Sequence, residues 1–368
     1  SRGAAIAAPP VYGGVSPAPP PTPAPPPSPP AEAASPVVAQ SKASGWRAAF
    51  HIARPVATGR IYQPIWVTIQ EGFEALGLTM ADPPIYYPET TCQLMADVKE
   101  AVQQRHVVPV VVALGWQTPS EPPSGCTFQE ALKEVGSLGY LILYNSEPKI
   151  EKLVSALKVA KNFGAKEVWS HTASVMKIWQ SRNSFGLTLR LVPPGCASAL
   201  RYNVRLDAET RDDNKIAFMG NWAGRNDRMS LRRALGDTLQ VAMGLWSDED
   251  YRKFLEKYPL QMNINAKWNQ ALALESPRIA QMATNGACVL STRRNPEDEK
   301  KWNGTVTFVE NKALVATFRS MAGKTAEIRA CQESAQRTFC SRFQPLQIMK
   351  DSGFVDIIHS TLGLDPPK

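Results

Sequence analysis

No stretch of this 368-residue sequence approaches the roughly eighteen consecutive apolar residues of a membrane-spanning helix, so no such span is expected within it. Its six cysteines, Cys92, Cys126, Cys196, Cys288, Cys331 and Cys340, form no C-x-x-C pair. With only four histidines there is also no Cys/His cluster of zinc spacing, so no metal site is expected. Cys331 and Cys340, nine residues apart in a helical pattern, read as packed thiols, with a bridge between them as the alternative. The formal net charge is +8, but the basic residues are dispersed, which leaves no electrostatic footprint for a nucleic acid. A basic balance also suits a substrate that carries phosphates. The sequence begins with Ser, not Met, and so reads as a fragment or processed chain whose targeting segment or anchor would lie upstream.

What is present is enough apolar material, 43% hydrophobic with 8% aromatic, for two ordinary cores. Residues 1–45 contain "PAPPPTPAPPPSPP", a stiff, solvated tract read as a disordered linker or stalk, with a ligand for a proline-recognition domain as the alternative. From there strands and helices alternate. "WRAAFHIA", "VVPVVVALGW", "YLILYN", "AKEVWSH" and "LTLRLVP" read as strands, separated by helical patterns such as "TFQEALKEVGSLG". This α/β unit, residues 46–196, closes at "VPPG". After a polar linker, 197–214, the rhythm restarts over 215–345 and ends in a C-terminal helix, 346–368. The expected fold is two Rossmann-like domains facing across a cleft, with ligands at the carboxyl ends of the strands.

Two segments carry the chemistry. In "FMGNWAGRNDR" a strand stops at Gly220, and Asn221, Gly224, Arg225 and Arg228 follow before a helix begins. Small residues there let backbone N–H groups approach an anion, although the loop is neither G-x-G-x-x-G nor a Walker sequence. In "ESPRIAQMATNGACVLS" Ser276 reads as an N-cap, Pro277 suits the first turn, and Asn285-Gly286 ends the helix ahead of a buried strand. Arg278 thus falls in a first helical turn, where the dipole disfavours a cation unless an anion is near. Its fork suits a diphosphate; a salt bridge with Glu275 is the alternative.

Taken in order, "VPPG", "IAFMGNWAGRNDR", "LQMNIN" and "ESPRIAQMATNGACVLS" resemble the CgeB-like glycosyltransferases, a group with the two-domain GT-B fold, over residues 48–345 and most strongly in the second half. The resemblance implies a glycosyltransferase that moves a sugar from a nucleotide-diphosphate sugar to an acceptor hydroxyl, with no cofactor and no metal. It places Ser276 and Arg278 at the diphosphate, with Glu275, Gly220, Asn221, Arg225 and Arg228 bordering the donor. Arg278 would stabilise the leaving group. In these relatives the third residue after the arginine is an acid near the ribose; here it is Gln281, which still donates and accepts hydrogen bonds.

The first domain is expected to carry the acceptor side, which would take a glycan, protein or small molecule. Glu147, at the tip of "YLILYNSEPK", is the candidate general base, with a helix-dipole role as its alternative. His171 and His106 are the other candidates. Trp116 would stack on a sugar or simply pack. Two rival readings stand beside the enzyme: a catalytically inactive GT-B binding or scaffolding protein, suggested by Gln281, and a basic α/β nucleic-acid-associated protein. The proline-rich stalk resembles the stem of an anchored secretory-pathway enzyme, placing the protein in the Golgi or secretory lumen, with the chloroplast as the alternative. A membrane would be met only through an upstream anchor. The sequon at Asn303, "NGT", is compatible with the secretory reading.

Overall fold

The computed structural model describes residues 47–362 apart from 104–107, 118–124 (except 119 and 122), 147–149, 221–225, 246 and 265–272; the side chains of 150–154, 226–228 and 362 are also outside the description. The proline-rich tract lies outside the described residues.

The apolar runs of the first half become strands buried on both faces, as a sheet covered by helices requires. In order these elements are β1 (Ala48–Ile52), α1 (Val56–Gly59), α2 (Gln63–Ala75), β2 (Met80–Tyr86), α3 (Thr91–Gln103), β3 (Val110–Leu114), α4 (Phe128–Leu138), β4 (Tyr140–Asn145), α5 (Ile150–Asn162), β5 (Glu167–Ser170), α6 (Ala173–Gln180) and β6 (Thr188–Leu191). The six strands make a parallel sheet in the order β2-β1-β3-β4-β5-β6.

The second half gives β7 (Ile216–Met219), α7 (Asn226–Leu235), β8 (Leu239–Ala242), α8 (Asp248–Lys257), β9 (Leu260–Asn263), α9 (Ser276–Thr284), β10 (Cys288–Thr292), α10 (Pro296–Trp302) and β11 (Val306–Val309). Its parallel sheet runs β11-β10-β9-β7-β8, the same winding as the first: the first strand sits inside, between the second and the third. The strand order therefore reverses between β7 and β9, which is where open α/β sheets leave a crevice for ligands. The pairing shows the crevice directly. β7 meets β9 only at Ile216↔Leu260 and Ala217↔Gln261, so the carboxyl ends of the two strands part.

The chain then passes through α11 (Leu314–Met321) and α12 (Thr325–Arg342) and returns to the first lobe as α13 (Pro345–Asp351) and α14 (Phe354–Leu362). Where α13 crosses α2 the contact is at Gly72: a Cβ there would lie 2.5 Å from Met349 Cγ and 3.0 Å from the Pro345 carbonyl oxygen. Phe354 stacks on Phe73 and meets Trp169 edge-on. Buried Glu167 accepts from Arg190 Nε and Nη2, at 2.6 and 2.9 Å, while Arg190 Nη1 donates to the Ser352 carbonyl. The stretch "LQIMKDSGFVDIIHSTLG" is thus two helices broken at Gly353 (φ +73°), not the single helix its apolar spacing suggests.

The cysteines correct the expectation of packed thiols. All six are paired, as Cys92–Cys126, Cys196–Cys340 and Cys288–Cys331. Cys331 and Cys340 cannot bridge each other because nine residues along α12 put them about 13 Å apart and on opposite sides of the helix. Each reaches outward instead, Cys331 to β10 and Cys340 to the loop after β6.

Candidate active site

A cavity of about 370 Å³ lies between the two sheets, at the carboxyl ends of their strands. Gly220 after β7, Gly244 after β8, and Ser146 and His171 after β4 and β5 line it, together with Glu275 and Arg278 of the α9 entry. A larger and more open hollow of about 690 Å³ flanks α10, β11 and α12, away from this crevice.

Arg278 occupies the opening where β7 and β9 part. Its Nη1 donates to Asn263 Oδ1 at 3.4 Å, at the tip of β9, and its guanidinium lies 5.2 Å over the Phe218 ring of β7. The backbone of Gly220 (φ +133°) passes so close that a Cβ would meet Nη2 at 3.4 Å. Only glycine takes that conformation without strain. The salt bridge to Glu275 held open by the sequence is present, but at 3.3 Å and with both side chains about a quarter exposed (24% and 25%) it is a loose pair. Behind it lies a second guanidinium. Burial pushes Arg294 down to about 10, Glu275 opposing that shift and Arg278 adding to it; its Nε is buried without a hydrogen-bond partner among the described residues. Arg278 and Glu275 therefore line the crevice, with the buried Arg294 guanidinium behind them.

Ser276 is not the N-cap the sequence suggests. That position belongs to Glu275, no side chain among the described residues caps the helix, and Ser276 is its first residue, with Pro277 following as expected. The hydroxyl is committed elsewhere: Ser276 Oγ lies 2.7 Å from Nδ1 of His171, on the opposite lobe. The His171 ring is also hydrogen-bonded to the Ser146 backbone, and burial lowers its pKa to about 4, with nearby Glu275 and the Ser146 bond opposing the shift. A neutral ring tied at both lobes orients α9 against β5; it is not a free proton acceptor. Asp298 of α10 makes a second tie. Its carboxylate accepts from Ala173 N and Ser174 Oγ, each at 2.8 Å, capping α6 from the other lobe where Thr172, the local N-cap, makes no such bond. Burial raises the Asp298 pKa and these hydrogen bonds resist the rise.

His171 gives the first expected result. Its folded pKa is depressed from 6.5, so its contribution is fully present above that value and is lost as pH falls from about 6.5 to about 4, because only the unfolded chain takes up the proton there. His51, lowered by burial to about 3, acts in the same sense. Each histidine should add up to about 1.4 kcal/mol per pH unit to the acid-side slope. Denaturant titrations at a series of pH values should show His171→Gln losing one such share; an unchanged slope would contradict the assigned burial.

Gln281 faces the same cavity and donates to Tyr202 Oη at 2.9 Å, with Tyr251 edge-on to Tyr202. Arg60 and Asp248 form an ion pair across the cleft mouth. Of the two readings of Trp116, packing is the one it takes: it is 5% exposed and its Nε1 donates to the Tyr144 carbonyl at 3.0 Å, so it does not stack on a sugar. Glu147, His106, Asn221 and Arg225 lie outside the described residues, as does the side chain of Arg228, whose backbone is in α7. Sequence reasoning did not find Asn263, Asp298, Arg294 or Tyr202. Each acts across a distance in sequence and carries no local motif.

Neither a protein-family profile nor a curated protein sequence matches the chain. Solved structures do. An alpha-glucosyltransferase in complex with UDP and a 13-mer DNA containing a HMU base superposes over 84% of this chain and 99% of its own, with a TM-score of 0.52 and 8% identity. T4 phage BGT in complex with its UDP-glucose substrate covers 86% of this chain and 99% of its own, with a TM-score of 0.50 and 9% identity. The fold is GT-B. At these identities the likeness is one of fold, so the two parallel sheets of this GT-B chain and the crevice between them define where function is sought, not what it is.

Proposed function

We propose that this protein is a glycosyltransferase of the CgeB-like kind, moving a sugar from a nucleotide-diphosphate sugar to an acceptor hydroxyl, with no metal ion at the diphosphate. The observation that carries this reading is the Arg278 fork in the gap between β7 and β9, at the amino end of α9, which no described side chain caps, and beside the glycine backbone at Gly220. As the sugar departs, negative charge grows on the diphosphate. A preformed guanidinium and a helix amino terminus are complementary to that charge, doing the work otherwise done by a cation. Glu275 holds Arg278 in the meantime, and the loose pair exchanges for phosphate oxygens at little cost. The structures of similar fold that hold UDP or UDP-glucose make UDP the first probe.

Thermal unfolding with UDP, other nucleotide diphosphates and their sugars tests the reading. A ligand at about one hundred times its dissociation constant adds roughly 2.7 kcal/mol, and magnesium or a chelator should change little. If no nucleotide diphosphate raises the midpoint at millimolar concentration, the donor-site reading fails.

Gln281 supplies a finer expectation. An acid there would accept from Tyr202 Oη and from a ribose hydroxyl through charge-assisted hydrogen bonds. Gln281→Glu should therefore tighten the nucleotide by about 1 kcal/mol, roughly fivefold, in a calorimetric titration. A weaker or equal affinity would place the ribose elsewhere.

A further inference from the structure

The sequence holds a single Asn-x-Ser/Thr triplet, Asn303-Gly304-Thr305, and the fold presents it in an unusual way. Asn303 is exposed, directly after α10, and Gly304 (φ +83°) makes the turn into the edge strand β11. The Asn303 backbone carbonyl is anchored by Arg342 Nη1 at 2.7 Å, leaving the side-chain amide free of any described partner. Thr305 is the informative residue. It is 2% exposed, and its hydroxyl oxygen is buried without a hydrogen bond among the described residues. A buried, unpaired hydroxyl is a cost to the fold that valine, of the same shape, would not carry. The folded structure thus gives no reason for a hydroxyl at 305, whereas the triplet does. All six cysteines are paired, which fits a chain that matures in an oxidising compartment, where such triplets are modified.

We propose that Asn303 is a glycan attachment site, modified in the secretory pathway. The reaction needs a lipid-diphosphate-linked oligosaccharide as co-substrate. The Asn303 amide nitrogen bonds to the anomeric carbon of its first sugar, the carbon–oxygen bond to the phosphate breaks, the amide gives up one proton and the lipid diphosphate leaves. Transfer before folding explains how Thr305 is read and then buried. On the folded protein the first sugars lie against the hollow of about 690 Å³ beside Lys300, Glu299 and Ser334, and they shield the open edge of β11 from pairing with another chain. The cleft stays clear, since β9 and β10 separate β11 from β7.

The test is peptide mapping of the protein isolated from its own cells, before and after a peptide N-glycosidase. A glycopeptide spanning residue 303 is expected, and the glycosidase should release it with Asn303 converted to an aspartate; an unmodified Asn303 peptide overturns the proposal. Variants expressed in the same cells sharpen it. Thr305→Val should abolish the glycan with the midpoint of thermal unfolding of the deglycosylated protein unchanged or raised, and Thr305→Ser should keep the glycan. A glycan retained in Thr305→Val would overturn the assignment. Asn303→Gln should lose the glycan and leave nucleotide binding at the wild-type level.

Discussion

Arg278→Ala is expected to lower sugar transfer about a hundredfold while leaving the protein folded. The structural losses are modest: a 3.3 Å ion pair a quarter exposed on each side, a long 3.4 Å hydrogen bond to Asn263 and a cation–π contact with Phe218, together about 1 to 2 kcal/mol. The functional loss is larger. A charge-assisted contact that strengthens as the diphosphate leaves contributes on the order of 3 kcal/mol to the transition state, or about two powers of ten in rate. Arg278→Lys should recover only part, since an ammonium restores the charge but not the fork that bridges two oxygens. The measurement is kcat and KM for transfer, alongside the nucleotide affinity. If Arg278→Ala lowers the unfolding midpoint yet binds nucleotide and transfers sugar like the wild type, the Glu275 pair is the whole role of Arg278.

The α/β alternation was legible in the sequence because strands covered on both faces are written as short continuous apolar runs, and "VVVAL", "YLILYN" and "CVLST" are of that kind. β2 was not. Its "MADPPIY" carries two prolines, which argue against a strand, yet it lies at the sheet edge, where a missing N–H leaves no ladder bond broken on the open side. The α9 segment was read to within a residue because proline and Asn-Gly mark its ends locally. The role of Ser276 was misread for the same reason: a local rule makes Ser a cap, whereas the structure spends its hydroxyl on His171, 105 residues away. Crossed ties such as Asp298 on α6, or Cys196 with Cys340, depend on how two lobes meet, and spacing within one helix excludes a Cys331–Cys340 bridge without naming the true partners.

Removing that interlobe disulfide should have the largest effect on stability. Cys196 follows "VPPG" at the end of the first lobe, and Cys340 sits in the last turn of α12, so the bond closes a loop of 144 residues. Cys288–Cys331 already shortens this loop by its own 43 residues, leaving about 100 for the chain-entropy estimate. A loop of that length corresponds to about 4 to 5 kcal/mol, a large share of a domain's net stability. The native bond is also well supported, for Cys196 N donates to the Phe343 carbonyl at 2.8 Å, so the two strands of chain stay in register without it and the loss is chiefly one of unfolded-state restraint. Cys196→Ala/Cys340→Ala should therefore unfold at markedly lower denaturant with little change in nucleotide affinity under native conditions. Cys92→Ala/Cys126→Ala, which opens a loop of only 34 residues within the first lobe, should lose less, about 3 to 4 kcal/mol. Equal midpoints for the wild type and the Cys196/Cys340 variant, measured without reductant, would mean that this bond does not form.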